Sequence, residues 1–313
     1  MKKTLFTVLF IMLSAAIFSQ KTEPFTKENI AVNDLLNGTL YTPIQHNKKT
    51  NLVILIAGSG PTDRNGNQNG LVNNSLKLLA EALANNGIAV YSYDKRIFAQ
   101  MATAKLDEAS LSFDHFIDDA KAVVQFFKNQ KKYRTITFAG HSEGALIGMV
   151  AANGNTDAYI SIAGAGRPID DVLLEQIEKQ APFLKDEVQK NLASLKNGNT
   201  FELKNQMLAS LFRASVQPYM ISWIKYNPQN EIKKLRIPIL LINGDKDIQV
   251  SVNDAQLLQQ AKPDAQLKII PNMNHIFKEI KGDDAENKAS YTNPDLPISV
   301  ELSSIITTFI RSL

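Results

Sequence analysis

The sequence predicts an α/β protein: a mostly parallel central sheet flanked by helices, with an all-helical insertion late in the chain. Three observations carry that expectation. Residues 52–57 (LVILIA) form a continuous apolar run, as in a strand covered on both faces of a parallel sheet. Strand and helix patterns then alternate, the order that right-handed crossover units require. Residues 135–151 (TITFAGHSEGALIGMVA) pass from an apolar strand through Gly140-His141-Ser142-Glu143-Gly144 into a helix of small and aliphatic residues.

At the start of the chain, Lys2 and Lys3 precede an apolar run at 5–18, followed by Ser19-Gln20 and polar residues. Residues 1–19 read as a cleaved export signal; a membrane anchor needs roughly 18 to 20 apolar residues. Residues 20–166 and 231–313 are expected to form the two parts of the α/β core, and 167–230 the insertion. A chain of 313 residues, 44% hydrophobic and 21% charged, can bury a sizeable core. It contains no cysteine, which excludes both disulfides and a lipidated N-terminal cysteine on this chain. With 34 basic residues against 31 acidic ones, the charge balance argues against a nucleic-acid surface.

Alternation at 30–36, then Asn37-Gly38, then Thr39-Leu40-Tyr41 predicts a hairpin turning at Asn-Gly. The strand at 52–57 ends in a glycine-rich loop, 58–67 (GSGPTDRNGN). This loop lacks the spacing of a phosphate-binding loop that opens into a helix. An oxyanion-binding loop needs only a free backbone N–H, for which Ser59 is the candidate and Gly60 the alternate. Asp63 and Arg64 are expected to brace the loop. A helix at 71–84, a strand at 88–93 and a helix at 114–128 follow, the last with Phe116, Ile117, Ala120, Val123, Val124 and Phe127 on one face. His115, in its first turn, reads as structural. Further strands are expected at 159–163, 237–242 and 267–270, helices at 253–261 and 300–310, and a polar connector at 281–297. The helical stretch 168–226 cannot extend the sheet and reads as a lid over the strand ends, where ligands bind in open α/β sheets. Phe212, Met220 and Trp223 are its candidates for substrate contact.

The pentapeptide at 140–144 has the G-x-S-x-G form of a tight strand-to-helix turn. Such a turn lifts Ser142 clear of a strained backbone, with glycines where side chains would collide with the neighbouring strand and helix. A serine hydroxyl is a weak nucleophile at neutral pH, so it needs a general base whose tautomer is held by an acid. With the elbow the parts run serine, acid, histidine. Of His46, His115, His141 and His275, only His275 lies after Ser142, in a loop following a strand. His141 adjoins the serine, but neighbours at a tight turn point apart. The loop after the preceding strand offers Asp245 and Asp247; Asp245 follows Gly244 as a turn residue, which favours Asp247.

Five stretches together carry a family resemblance: GSGPTDR at 58–64, YDKR at 93–96, GHSEG at 140–144, NGDKDIQV at 243–250 and NHIFK at 274–278. With them the chain resembles the α/β-hydrolase superfamily, and within it the EstD-type bacterial carboxylesterases and their dienelactone-hydrolase-like relatives. The resemblance implies Ser142 as nucleophile, Asp247 as acid and His275 as base, with the backbone N–H groups of Ser59 and Glu143 as oxyanion hole. The chain departs from the family pattern at Ile97-Phe98-Ala99-Gln100, at Asn65-Gly66 and at Ala145, none of them in the inferred triad. The implied activity is hydrolysis of a small-molecule carboxylic ester through an acyl-enzyme, with no metal or organic cofactor and no membrane span after signal cleavage. Thioesters or aminoacyl amides are alternative substrates, and a binding protein that has lost turnover is a reading of another class.

Overall fold

The computed structural model describes residues 24–47 and 49–313; the expected export signal at 1–19 lies outside them. In chain order the elements are β1 (Phe25–Ala31), β2 (Asn37–Pro43), β3 (Leu52–Ile56), α1 (Ser75–Asn85), β4 (Ala89–Tyr93), α2 (Arg96–Ala102), α3 (Phe113–Gln130), β5 (Ile136–His141), α4 (Glu143–Ala152) and β6 (Ala158–Ile162). Then follow α5 (Ile169–Gln180), α6 (Lys185–Lys196), α7 (Ala209–Phe212), α8 (Gln217–Ile224), α9 (Pro228–Ile232), β7 (Ile239–Gly244), α10 (Val252–Ala261), β8 (Gln266–Ile270), α11 (Asp284–Ser290) and α12 (Val300–Arg311).

The strands form one sheet of eight in the order β1-β2-β4-β3-β5-β6-β7-β8. β2 is antiparallel to both its neighbours, and the pairs from β4 through β8 are parallel. The unbroken apolar run of β3 follows from this position. Ile54 and Ile56 face a core with Tyr91, Phe138, α3 and α4, while Val53 and Leu55 face a second core with Leu79, Ile306 and α12. Each such side chain, fully buried, contributes about 1.5–3 kcal/mol relative to exposure.

Three expectations are corrected. Asn37 and Gly38 are not the hairpin turn: they pair with Ala31 and Ile30 inside the ladder, and the chain reverses at 32–36, where Asn33 Oδ1 accepts the N–H groups of Leu35 and Leu36. Gly38 serves packing instead, since a Cβ there would lie 2.5 Å from the Tyr91 ring on β4. The first core helix starts at Ser75, not Leu71, because Asn67 Oδ1 accepts the N–H groups of Asn73 and Asn74 and turns the chain first. The polar connector at 281–297 contains α11, capped by Asp283.

Between β6 and β7, helices α5 to α8 build a third apolar cluster around Val188, Leu195, Leu208 and Phe212. Its α8 is fixed to α3 of the body. Phe113 stacks on Trp223 with ring centroids 5.4 Å apart, the Phe113 N–H donates to Ser222 Oγ at 2.7 Å, and the Tyr226 hydroxyl donates to Asp114. Among the described residues no helix is long and apolar enough to cross a membrane.

Candidate active site

The site grows from the junction of β5 and α4. β5 ends at His141 and α4 begins at Glu143, so Ser142 alone makes the turn, at φ 55° and ψ −121°. For a non-glycine residue this conformation costs about 1–3 kcal/mol and persists only where its surroundings enforce it. They do so through missing side chains. A Cβ on Gly140 would run into the Gly144 carbonyl, and one on Gly144 into the carbonyls of Ile56, the last residue of β3, and of Ala57 just after it. The turn can therefore close only with glycine at both ends. Glu143 heads α4, so its N–H has no intrahelical acceptor and lies at the positive end of the helix dipole.

Facing the turn is the loop after β3. Gly58 is so close that a Cβ there would lie 3.2 Å from Ser142 Cβ. The Ser59 N–H makes no hydrogen bond among the described residues. Its carbonyl accepts from Thr62 Oγ1 at 2.8 Å and from Gln68 Nε2 at 2.9 Å. Asp63 and Arg64 brace this loop as expected: Asp63 Oδ1 accepts from the N–H groups of Asn65 and Asn67, and Arg64 pairs with Asp94.

On the third side, His275 Nδ1 lies 2.8 Å from Asp247 Oδ2, with both side chains buried. The other carboxylate oxygen, Asp247 Oδ1, accepts the N–H groups of Gln249 and Val250, at 2.8 and 2.9 Å. An acceptor-only carboxylate at that distance fixes the imidazole proton on Nδ1 and leaves Nε2 with its lone pair. Asp245 does not reach the histidine. Its Oδ1 accepts the Asn272 N–H at 2.6 Å and holds the turn. His275 comes against the elbow through His141, whose ring centroid is 4.7 Å from its own. Among the described residues Ser142 Oγ and His275 Nε2 form no hydrogen bond.

A cavity of about 460 Å³ opens from Ser59, Ser142 and Glu143. Its walls are largely apolar and come from both body and insertion, among them Ile97, Leu146, Val172 and Leu173. Met220 and Trp223 line it. Phe212 does not: it is fully buried in the insertion's own cluster, 5.9 Å from the Phe201 ring, because α7 turns its apolar face inward. The carboxylates at the cavity wall are already paired, Glu143 with Lys95 at 2.8 Å and Glu108 with Arg213. Burial pushes the Tyr219 phenol well above its ordinary pKa, and the neighbouring Glu143 carboxylate adds to the rise, so this hydroxyl stays protonated. Among the described residues no group of acidic, histidine or cysteine side chains is arranged to hold a metal ion.

Three contributors had no role in the sequence reading. Lys95 stood inside the YDKR stretch without an assignment. Asn274 and Asn287 join the site from behind: Asn274 Nδ2 donates to Asn287 Oδ1 at 2.9 Å, and Asn287 Nδ2 donates to the Lys246 carbonyl at 2.7 Å. They tie the loop of His275 to the loop of Asp247 through α11. No local signal marks them, because they act across distant loops.

Residues 72–217 match the family described as Serine aminopeptidase, S33. The match includes Ser142 and most of the insertion and stops short of Asp247 and His275. The chain is 27% identical over 284 residues to Esterase EstD of Thermotoga maritima, covering 86% of this chain and 64% of that protein, so it spans less than two thirds of the relative's length. Est1E from Butyrivibrio proteoclasticus superposes with a TM-score of 0.55 at 16% identity, over 91% of this chain and 99% of that one. With ferulic acid bound, Est1E gives a TM-score of 0.57 at 17% identity, over 91% and 100%. Dienelactone hydrolase from Anabaena variabilis gives 0.52 at 14% identity, over 92% and 98%. At such identities the likeness to the solved structures is one of fold. Sheet order, the strained serine turn and the likeness to the solved structures together give this chain the α/β-hydrolase fold, and in sequence it is similar to Esterase EstD.

Proposed function

We propose that the protein is a serine esterase that hydrolyses small, uncharged carboxylic esters through a Ser142–His275–Asp247 triad. The observation that carries this reading is the 2.8 Å contact of His275 Nδ1 with the buried Asp247 carboxylate, beside a serine held in a strained turn that opens on an apolar cavity. Ser142 Oγ attacks the ester carbonyl carbon while His275 Nε2 takes its proton. The N–H groups of Ser59 and Glu143 receive the charge on the carbonyl oxygen. His275 then protonates the leaving alcohol, and water, activated by the same imidazole, releases the acid from Ser142. Hydrogen bonds of this kind are commonly long without substrate and tighten in the complex, which fits the open Ser142–His275 pair.

Among rival substrates, an aminoacyl amide brings an ammonium group that needs a free carboxylate. Glu143 and Glu108 at the cavity wall are both taken by cations, which favours neutral esters. Labelling of Ser142 by a fluorophosphonate, with turnover of aryl esters ahead of acyl thioesters and aminoacyl amides, is the expected result. Absence of labelling in folded protein would favour a binding protein without turnover. The insertion at 167–230 acts in this reading as a lid that shapes the acyl pocket. Residues 1–19 direct export, which a mature N-terminus mapped near residue 20 in exported protein would support.

A further inference from the structure

Lys95 is a buried cation in a place where the proposed reaction has no obvious use for one. It follows β4, its side chain is 5% exposed, and its ammonium lies 5.3 Å from the centre of the Phe116 ring. A lysine ammonium has three N–H bonds. Nζ of Lys95 makes three polar contacts: the Gly58 carbonyl at 2.5 Å, the Gly60 carbonyl at 3.3 Å and Glu143 Oε1 at 2.8 Å. Gly58 and Gly60 flank Ser59. Glu143 is the residue whose own backbone N–H heads α4. One cation thus grips both chain segments that supply the oxyanion-hole N–H groups, the first through carbonyls on either side of the donor and the second through the donor residue's side chain.

We propose that Lys95 is a positioning residue for the oxyanion hole, setting the separation and aim of the Ser59 and Glu143 N–H groups, with Glu143 as its counter-ion. The proposal rests on the esterase reading above. Its chemistry is that of preorganisation. An N–H must already point to where negative charge develops, since a loop that has to be reoriented during the reaction gives up part of its stabilisation. Gly58 and Gly60 offer only acceptors toward Lys95, so the grip needs a donor, and the three N–H bonds of one ammonium match the two carbonyls and the Glu143 carboxylate. The pair leaves no net charge at the cavity wall, so its effect falls on geometry and not on attraction of an anionic substrate.

The test compares Lys95→Met with the double variant Lys95→Met/Glu143→Gln. The single change strands a buried carboxylate and can impair folding; the double change removes both charges and keeps the side chains close in size. In folded double variant, kcat for an aryl ester is expected to fall about 100- to 1000-fold, the scale of losing one oxyanion donor, with KM within about threefold. Binding of a trifluoromethyl ketone, which forms a tetrahedral oxyanion on Ser142, should weaken by a similar factor to kcat/KM. A purely structural role would leave that proportionality unmet. A folded double variant with kcat within threefold of the parent overturns the inference, as does a loss expressed only in KM. Should parent protein fail to hydrolyse esters and Ser142 resist fluorophosphonate, the esterase reading falls and this inference with it. Normal turnover by the parent together with an unimpaired double variant removes the inference alone.

Discussion

His141 Nε2 lies 2.9 Å from the main-chain carbonyl of His275. A carbonyl can only accept, so Nε2 carries the proton, and the residue before the candidate nucleophile holds the backbone of the candidate base. Burial drives the His141 pKa well below its ordinary value, with the neighbouring His275 lowering it further, and keeps the ring neutral. Replacing it with Phe keeps the ring's packing on Phe277 and deletes the donor. His141→Phe should lower kcat roughly 10- to 100-fold through misplacement of the base. A second signature lies in stability. Below the ordinary histidine value of 6.5 the unfolded chain binds a proton at His141 that the folded chain does not, so stability falls as pH drops through that region. Urea midpoints at pH 7 and pH 5 should differ less in His141→Phe than in the parent.

The two acidic residues of one loop should behave oppositely. Asp247→Asn is expected to reduce kcat by about three to four orders of magnitude, because an amide no longer selects the Nδ1 proton. Asp245→Asn should leave kcat within a few-fold and show its effect as about 1 kcal/mol of lost stability, from the weaker bond to the Asn272 N–H. Steady-state kinetics beside denaturant melts separates the two; equal losses of activity would refute the assignment of Asp247.

Gly144→Ala tests the elbow itself. The added methyl meets the Ile56 carbonyl at the end of a central strand and the Ala57 carbonyl just after it, backbone that cannot withdraw without disturbing the sheet. We expect loss of more than 3 kcal/mol or failure to fold, read by circular dichroism and thermal melting. A soluble, fully active variant would contradict the geometry of the turn.

Behind the site, Asn287→Ala leaves the Lys246 carbonyl and Asn274 Nδ2 short of a partner. The expected destabilisation is about 1–3 kcal/mol, accompanied by faster amide exchange in the loops of both Asp247 and His275. Exchange confined to α11 would argue against the clamp.

Lys278 is fully buried, donates to the Leu296 carbonyl, and has its pKa pushed down to about 8 by burial. The sign follows from proton counting. Between pH 8 and the ordinary lysine value of 10.5 the unfolded chain holds a proton that the folded chain has lost, so stability rises with pH across that window. Relative to Lys278→Met, the parent should gain up to about 3 kcal/mol between those limits, measured as the pH dependence of the urea midpoint.

Much of the sheet and the candidate site residues Ser142 and His275 were legible because their signals are local. β3 is apolar on both faces, Ser142 is framed by glycines that its turn demands, and His275 has no histidine competitor downstream. What could not be read is what depends on distant neighbours. Gly38 looks like a turn glycine, and only the approach of Tyr91 reveals why it is there. Phe212 has the composition of a pocket residue, and only the path of α7 turns it inward. Lys95 has no assignment within YDKR until both carbonyls of the opposite loop are seen around it. Asn287 sits in a polar stretch whose short helix has too few apolar residues to announce itself.

The attachment of α8 to α3 gives the insertion an unequal anatomy with a use in enzyme engineering. Its last helix is a fixed jamb, bound into the body by Phe113, Ser222 and Trp223. The preceding part packs on that jamb through the apolar cluster, in which Met220 and Ile224 join Val188, Leu195 and Phe212, and its polar tie is one side-chain amide: Gln217 accepts the Phe201 N–H at 2.8 Å and donates to the carbonyls of Phe201 and Phe212, at 2.9 and 2.8 Å. A helical segment grafted from another protein of this fold would therefore be joined between Phe212 and Gln217. Its fit would turn on two matches at once, one peptide unit presented to Gln217 and an apolar face presented to Met220 and Ile224.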